Sequence, residues 1–227
     1  GAGVQADLKT FGALGCHGMA VITALTAQNT RGVSGVHVPP ADFVAAQIAA
    51  IFADIRVDAV KIGMLASGAV VAAVAEALAP HARIPIVLDP VGSGATRFRT
   101  ETARRMLEEL PVSVVRGNAS EIISLGGAAG GARGVESIHS ADDARAAAEH
   151  LARSSSVVVA VTGVEDLVTD GVRTVRIGNG HALMGRVTGT GCAASALCAA
   201  FCAVERDPFT AVTGALLTFG IAGELAA

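Results

Sequence analysis

Apolar residues along this chain alternate between short continuous runs and stretches spaced three and four apart, which predicts strands alternating with helices. "MAVITAL" (19–25) reads as a β-branched strand. "PPADFVAAQIAAIFADI" (39–55) reads as a helix opened by prolines, with Phe43, Val44, Ile48, Ile51, Phe52 and Ile55 at helical spacing. "DAVKIGML" (58–65) is a strand, and 67–81 a helix starting at a Ser cap. "IPIVLDP" (84–90) is a buried strand ended by Pro90. A helix over 99–110, a strand over 112–118 and a short helix over 119–127 with a glycine stop come next. A helix over 140–152 and a strand over 155–163 lead to a hairpin over 165–178 that turns at Asp170-Gly171. Helices over 190–205 and 208–226 finish the chain.

Strands separated by helices imply βαβ units, hence an α/β fold with a largely parallel sheet covered on both faces. Ligands in such sheets sit outside the carboxyl ends of the strands. That rule selects "TAQNT", "GML", "DPVGSG", "RGNASE", "VTG" and "GTGC". No linker composition and no internal repeat divides the chain, so 1–227 reads as a single domain. "GGAAGGARG" (126–134) reads as a surface loop.

Composition narrows the partners. The net charge is −3, basic residues are scattered, and aromatics make up 3% with no Trp or Tyr, which excludes a nucleic-acid platform. No uninterrupted apolar run of about 18 residues appears, and the start does not resemble a signal peptide. The expectation is a cytoplasmic protein without a membrane partner. Of the cysteines Cys16, Cys192, Cys198 and Cys202, three share one helix, which is poor geometry for disulfides. Cys198 and Cys202 are one turn apart but lack further metal ligands nearby, so they read as small core residues.

The most informative chemistry lies in "TGTGC" (188–192). Glycines before a helix let its backbone approach a ligand, and the first N–H groups lack internal partners. Gly189, Thr190, Gly191 and Cys192 can therefore hold developing negative charge on a transferring phosphoryl group. Cys192 falls in the first turn, where a thiol can serve as a base. The bland alternative is a tight turn into a closely packed helix. Asp89 ends a buried strand before Gly92-Ser93-Gly94, and Glu121 follows Arg116-Gly117-Asn118. These two carboxylates can hold a magnesium ion through water, beside nucleotide phosphates. Alternatively Asp89 caps a turn and Glu121 completes a helix-start pattern with Asn118. No Walker A sequence is present, and "GAGVQA" is only half of a dinucleotide fingerprint.

In these motifs the chain resembles the thiamine-biosynthesis kinases of the ribokinase-like fold over essentially its whole length. "GAGVQADLKTFGALGCHGMAVITALTAQNTRGVSGV" through "VDAVKIGMLAS" is similar to hydroxymethylpyrimidine (phosphate) kinase, and "DPVGSGATRFRTETARRML", "RGNASEI", "VVAVTGVEDLVTDG" and "NGHALMGRVTGTGCA" to hydroxyethylthiazole kinase. The change of character falls near 81–90. Against the family patterns the chain lacks a first strand and a C-terminal end.

The resemblance implies a three-layer α/β/α sandwich, ATP as co-substrate and Mg2+. It implies Asp7, Gln28 and Met64 as substrate contacts, Arg116, Asn118 and Thr162 as nucleotide contacts, Asp89 and Glu121 at the metal, and Gly189–Cys192 as the anion hole. The leading expectation is phosphorylation of a hydroxymethylpyrimidine, because the N-terminal half carries that substrate pocket. The alternatives are hydroxyethylthiazole phosphorylation and a non-catalytic binder of thiamine precursors. A small-molecule substrate and a homo-oligomer, dimer or trimer, complete the expectation.

Overall fold

In a computed structural model, which describes residues 2–29, 31–126 and 141–227, the apolar run 19–25 forms no strand before Leu25. The chain opens instead with α1 (Val4–Ala13), absent from the sequence reading. It next forms β1 (Leu25–Asn29) and β2 (Gly32–His37), a separate antiparallel hairpin with a bulge at Ala27/Gln28. The backbone of Ile22 is met by a side chain rather than a ladder. Gln47 Oε1 accepts from the Ile22 N–H at 2.9 Å, and Gln47 Nε2 donates to the Ile22 carbonyl at 3.2 Å. A β-branched run needs a paired neighbour to become a strand, and here a helix amide stands in that neighbour's place.

Gln47 belongs to α2 (Ala41–Asp54), which precedes β3 (Val60–Ile62), α3 (Gly68–Leu78) and β4 (Ile86–Leu88). Ser67 caps α3 as its sequence predicts, accepting from the Val70 N–H at 3.2 Å. Then come α4 (Arg97–Glu109), β5 (Val112–Asn118), α5 (Ala119–Gly126), α6 (Ala141–Ser155) and β6 (Val158–Thr162). From residue 127 on, the glycine-rich stretch lies outside the described residues. The chain ends with β7 (Asp166–Thr169), β8 (Thr174–Ile177), α7 (Thr190–Cys202) and α8 (Pro208–Leu225).

One six-stranded sheet runs β3-β4-β5-β6-β7-β8, parallel from β3 to β6 and antiparallel thereafter. Strand side chains split by parity between two cores. Ile62, Ile86, Leu88, Val115 and Val159 pack with α2 to α6, whereas Val87, Val114, Val158, Ala160 and Val168 pack with α7 and α8. The result is the expected α/β/α sandwich. Small residues, Ala194 to Ala196 and Ala199, let α7 lie close against the sheet, and α1 covers α7 from outside. By length and composition α8 could cross a bilayer (mean hydropathy 1.3), but here it packs against α7 and the antiparallel strands. All four cysteines are free, and burial pushes Cys198 up to about 12 and Cys202 to about 11, as inert core thiols.

Candidate active site at the carboxyl ends of the parallel strands

The geometry brings four of the selected segments together. Asp89, just past β4, Arg116 on β5 and Thr162 at the end of β6 share the sheet face that meets α7. Gly189 precedes α7 with φ +95°, the left-handed conformation that glycine adopts without penalty. The first intrahelical bond runs from the Ala193 N–H to the Gly189 carbonyl at 2.9 Å, so the N–H groups of Thr190, Gly191 and Cys192 have no intrahelical acceptor.

Arg116 joins these parts. Nη1 donates to the Gly191 carbonyl at 3.1 Å, Nη2 donates to Thr162 Oγ1, and Asp89 Oδ2 lies 3.8 Å from Nη1. Its Nε is buried with no acceptor among the described residues, so this donor of the guanidinium remains unspent. Ser195 Oγ donates to Asp89 Oδ2 at 2.9 Å. Burial raises Asp89, while Arg116, Lys61 and the Ser195 hydrogen bond pull it down and Glu121 adds a further rise. Asp166, which accepts from the Gly163 N–H at 2.9 Å, is likewise raised by burial, with that bond and Arg116 opposing.

Glu121 completes the helix-start pattern. Its Oε2 accepts from the Asn118 N–H at 2.9 Å, and Asn118 Oδ1 accepts from the Glu121 N–H at 3.0 Å. Glu121 Oε1 accepts from the Gly92 N–H at 2.9 Å, which fixes the "GSG" loop to α5. Among the described residues no group of three or more His, Cys, Asp or Glu forms a metal cage. The donors nonetheless fit a hydrated magnesium ion, which keeps most of its waters and needs one or two carboxylates. Asp89 Oδ1 takes no hydrogen bond among the described residues, and each Glu121 oxygen keeps a free lone pair.

Among the described residues no hydrogen bond joins the side chains expected to contact substrate, Asp7, Gln28 and Met64, to this group. The Asp7 carboxylate is engaged by Lys61 Nζ at 2.9 and 3.0 Å. Gln28 is exposed on β1 of the hairpin. Met64 is half-buried, its carbonyl accepting from Thr23 Oγ1 at 2.9 Å. It shares with Asp89 the lining of a cavity of about 20 Å³, room for roughly one water. Sequence reading passed over Lys61, Asp166 and Ser195. A lysine inside an otherwise apolar parallel strand was the available signal for the first.

Gly191 has no room for a side chain, since a Cβ would lie 2.9 Å from Arg116 Nη1. Gly191→Ala should keep the fold but push the guanidinium off the helix mouth. Losing that charged hydrogen bond should cost about 1.5–3 kcal/mol of stability, read by urea denaturation.

Comparison with known proteins matches these features. Residues 41–227 fit the model of the hydroxyethylthiazole kinase family. The hydroxyethylthiazole kinase of Desulfotalea psychrophila is 55% identical over 144 residues, which is 63% of this chain and 53% of that one. The chain thus spans about half the length of the curated relatives it matches. A solved hydroxyethylthiazole kinase structure from Pyrococcus horikoshii OT3 is 36% identical with a TM-score of 0.71, covering 98% of this chain and 74% of that one. A phosphomethylpyrimidine kinase structure from Clostridium difficile 630 is 28% identical with a TM-score of 0.77, covering 98% and 92%.

These findings correct the expectation of a hydroxymethylpyrimidine substrate. The family match begins at residue 41, inside the half that carried the pyrimidine resemblance, and the identity to hydroxyethylthiazole kinases is 51–56%. The pyrimidine expectation rested on Asp7, Gln28 and Met64, of which Asp7 pairs with Lys61 and Gln28 is exposed on the hairpin. On the sheet order, the α7 anion mouth and the family match together, the chain belongs to the hydroxyethylthiazole kinase family, on a ribokinase-like fold.

Proposed function

We propose that this chain transfers the γ-phosphoryl group of ATP to the hydroxyl of 4-methyl-5-(2-hydroxyethyl)thiazole. The observation that carries the reading is Arg116, a buried guanidinium with an unpartnered Nε, set under the open N–H groups of α7. A donor left unpaired at that depth costs about 1–3 kcal/mol and is best explained by an anion that completes it. Arg116, Thr162 and Asn118 hold the nucleotide, and Gly189, Thr190 and Gly191 present N–H groups to the charge that develops on the phosphoryl oxygens. Asp89 and Glu121 would hold Mg2+, which would supply neutralisation of the phosphate charge.

The substrate oxygen attacks the γ-phosphorus, the bond from that phosphorus to the β–γ bridging oxygen breaks, and ADP leaves. Cys192 orients the hydroxyl and takes its proton. Because this transfer is mainly positioning and electrostatics, Cys192→Ala should lower kcat by about 100-fold and leave the KM for ATP unchanged. The reading is tested by supplying the purified chain with the thiazole alcohol, MgATP and a coupled ADP assay. Phosphorylated thiazole with stoichiometric ADP is the expected product. A folded sample that binds the thiazole and yields no ADP would instead favour the non-catalytic binder.

A further inference from the structure

One buried ion pair takes no part in the chemistry above. Lys61 on β3 has a side chain only 5% exposed, and Asp7 on α1 one 15% exposed. A lysine is rarely buried to this extent unless paired. Its Nζ extends past Gly63, where a Cβ would lie 3.2 Å away. The same ammonium attracts Asp89, which lies beside Arg116. A second tie joins α1 to the site. Gly3, at the N-cap of α1, donates its N–H to Cys192 Sγ at 3.3 Å. The α1 segment thus touches both the reacting thiol and the buried lysine of β3.

We propose that Asp7 and Lys61 form a positioning pair, which clamps α1 to β3 so that Gly3 N–H holds Cys192 Sγ. Neither side chain touches the reacting atoms. For its kinetic readout the inference rests on the kinase reading, but its thiol readout does not. The separation of Asp7 from Lys61 in the chain, 54 residues, means that the pair also couples the N-terminal helix to the sheet.

The test compares wild type with Asp7→Asn, Lys61→Met, the double variant and Lys61→Arg. Kinetics with the thiazole alcohol and MgATP are measured, and the rate of Cys192 alkylation by iodoacetamide is followed by peptide mass spectrometry. Each single variant should lose on the order of tenfold in kcat with little change in either KM, the signature of a misplaced centre. Cys192 should alkylate several-fold faster in both, the double variant should be no worse than the worse single, and Lys61→Arg should regain part of the rate. The buried Cys198 reports unfolding. If Lys61→Met labels Cys198 as fast as Cys192, the near-isosteric Asp7→Asn carries the comparison. Unchanged kcat and unchanged Cys192 labelling, or strictly additive losses, would overturn the proposal. A wild type without thiazole turnover would sink the kinase reading alone, and the alkylation rates would still decide this one.

Discussion

Arg116→Met should lose about 3–5 kcal/mol of stability together with most of its affinity for ATP. Methionine keeps an unbranched apolar stem and removes the guanidinium, leaving part of its volume unfilled, so the loss combines charge and packing. Three anchors disappear at once, namely the Gly191 carbonyl, the Thr162 hydroxyl and the buried Asp89 carboxylate, which keeps only Lys61 as a nearby cation. The cost arises less from the bonds themselves than from leaving Asp89 and Asp166 without compensation in a dry site. Arg116→Lys restores a charge but not the fork that reaches Thr162 and Gly191 together, so stability should return further than nucleotide affinity. Urea denaturation and calorimetric ATP titration measure the two effects separately. A stability loss below about 1 kcal/mol with unchanged affinity would make the guanidinium a bystander.

The parallel strands were legible because strands buried on both faces read as unbroken apolar runs, as in "IPIVL" and "SSVVVAV". The Asp170-Gly171 turn was legible from its residues, and Gly171 indeed has φ +88°. "MAVITAL" carries the same signature as those strands and fails, because a strand also requires a neighbour and that neighbour is the amide of Gln47. The helix α1 was missed although Val4, Leu8 and Phe11 stand at helical spacing in "VQADLKTFGA"; that short stripe is laid against α7.

The phosphoryl-transfer end of the site was readable for a different reason. Strand order places the carboxyl ends side by side, so residues just past each strand must meet. Asp89, Arg116, Thr162 and Gly191 obey that rule. The substrate end does not follow from it. Asp7 and Gln28 lie on a helix and a hairpin outside the sheet, where no topological rule fixes their direction, and the Asp7–Lys61 pair is a tertiary choice invisible to local pattern.

Asp89→Asn should lose about 10²–10³-fold in kcat and yet unfold at no lower temperature than wild type at pH 7. Burial is the largest influence on this carboxyl and raises it above 3.8 despite Arg116, Lys61 and Ser195. A folded-state value above the unfolded one means that the folded chain binds the proton more tightly. Stability then falls as pH rises from 3.8 through the folded value, and the deficit is complete above it. Asparagine keeps the shape, and its carbonyl can still accept from Ser195 Oγ, but it carries no charge to desolvate. The variant should therefore gain on wild type as pH rises through that window and keep the gain at neutral pH. Asp7 and Asp166 are raised by burial in the same direction, so both proteins share their slope and the difference between the two curves is the quantity to read. A variant less stable than wild type by an amount that grows with pH would mean that the pairing of Asp89 with its cations outweighs its burial. If the expected gain is found, this carboxylate is retained at a cost in stability, and the chemistry at the strand ends accounts for its presence there.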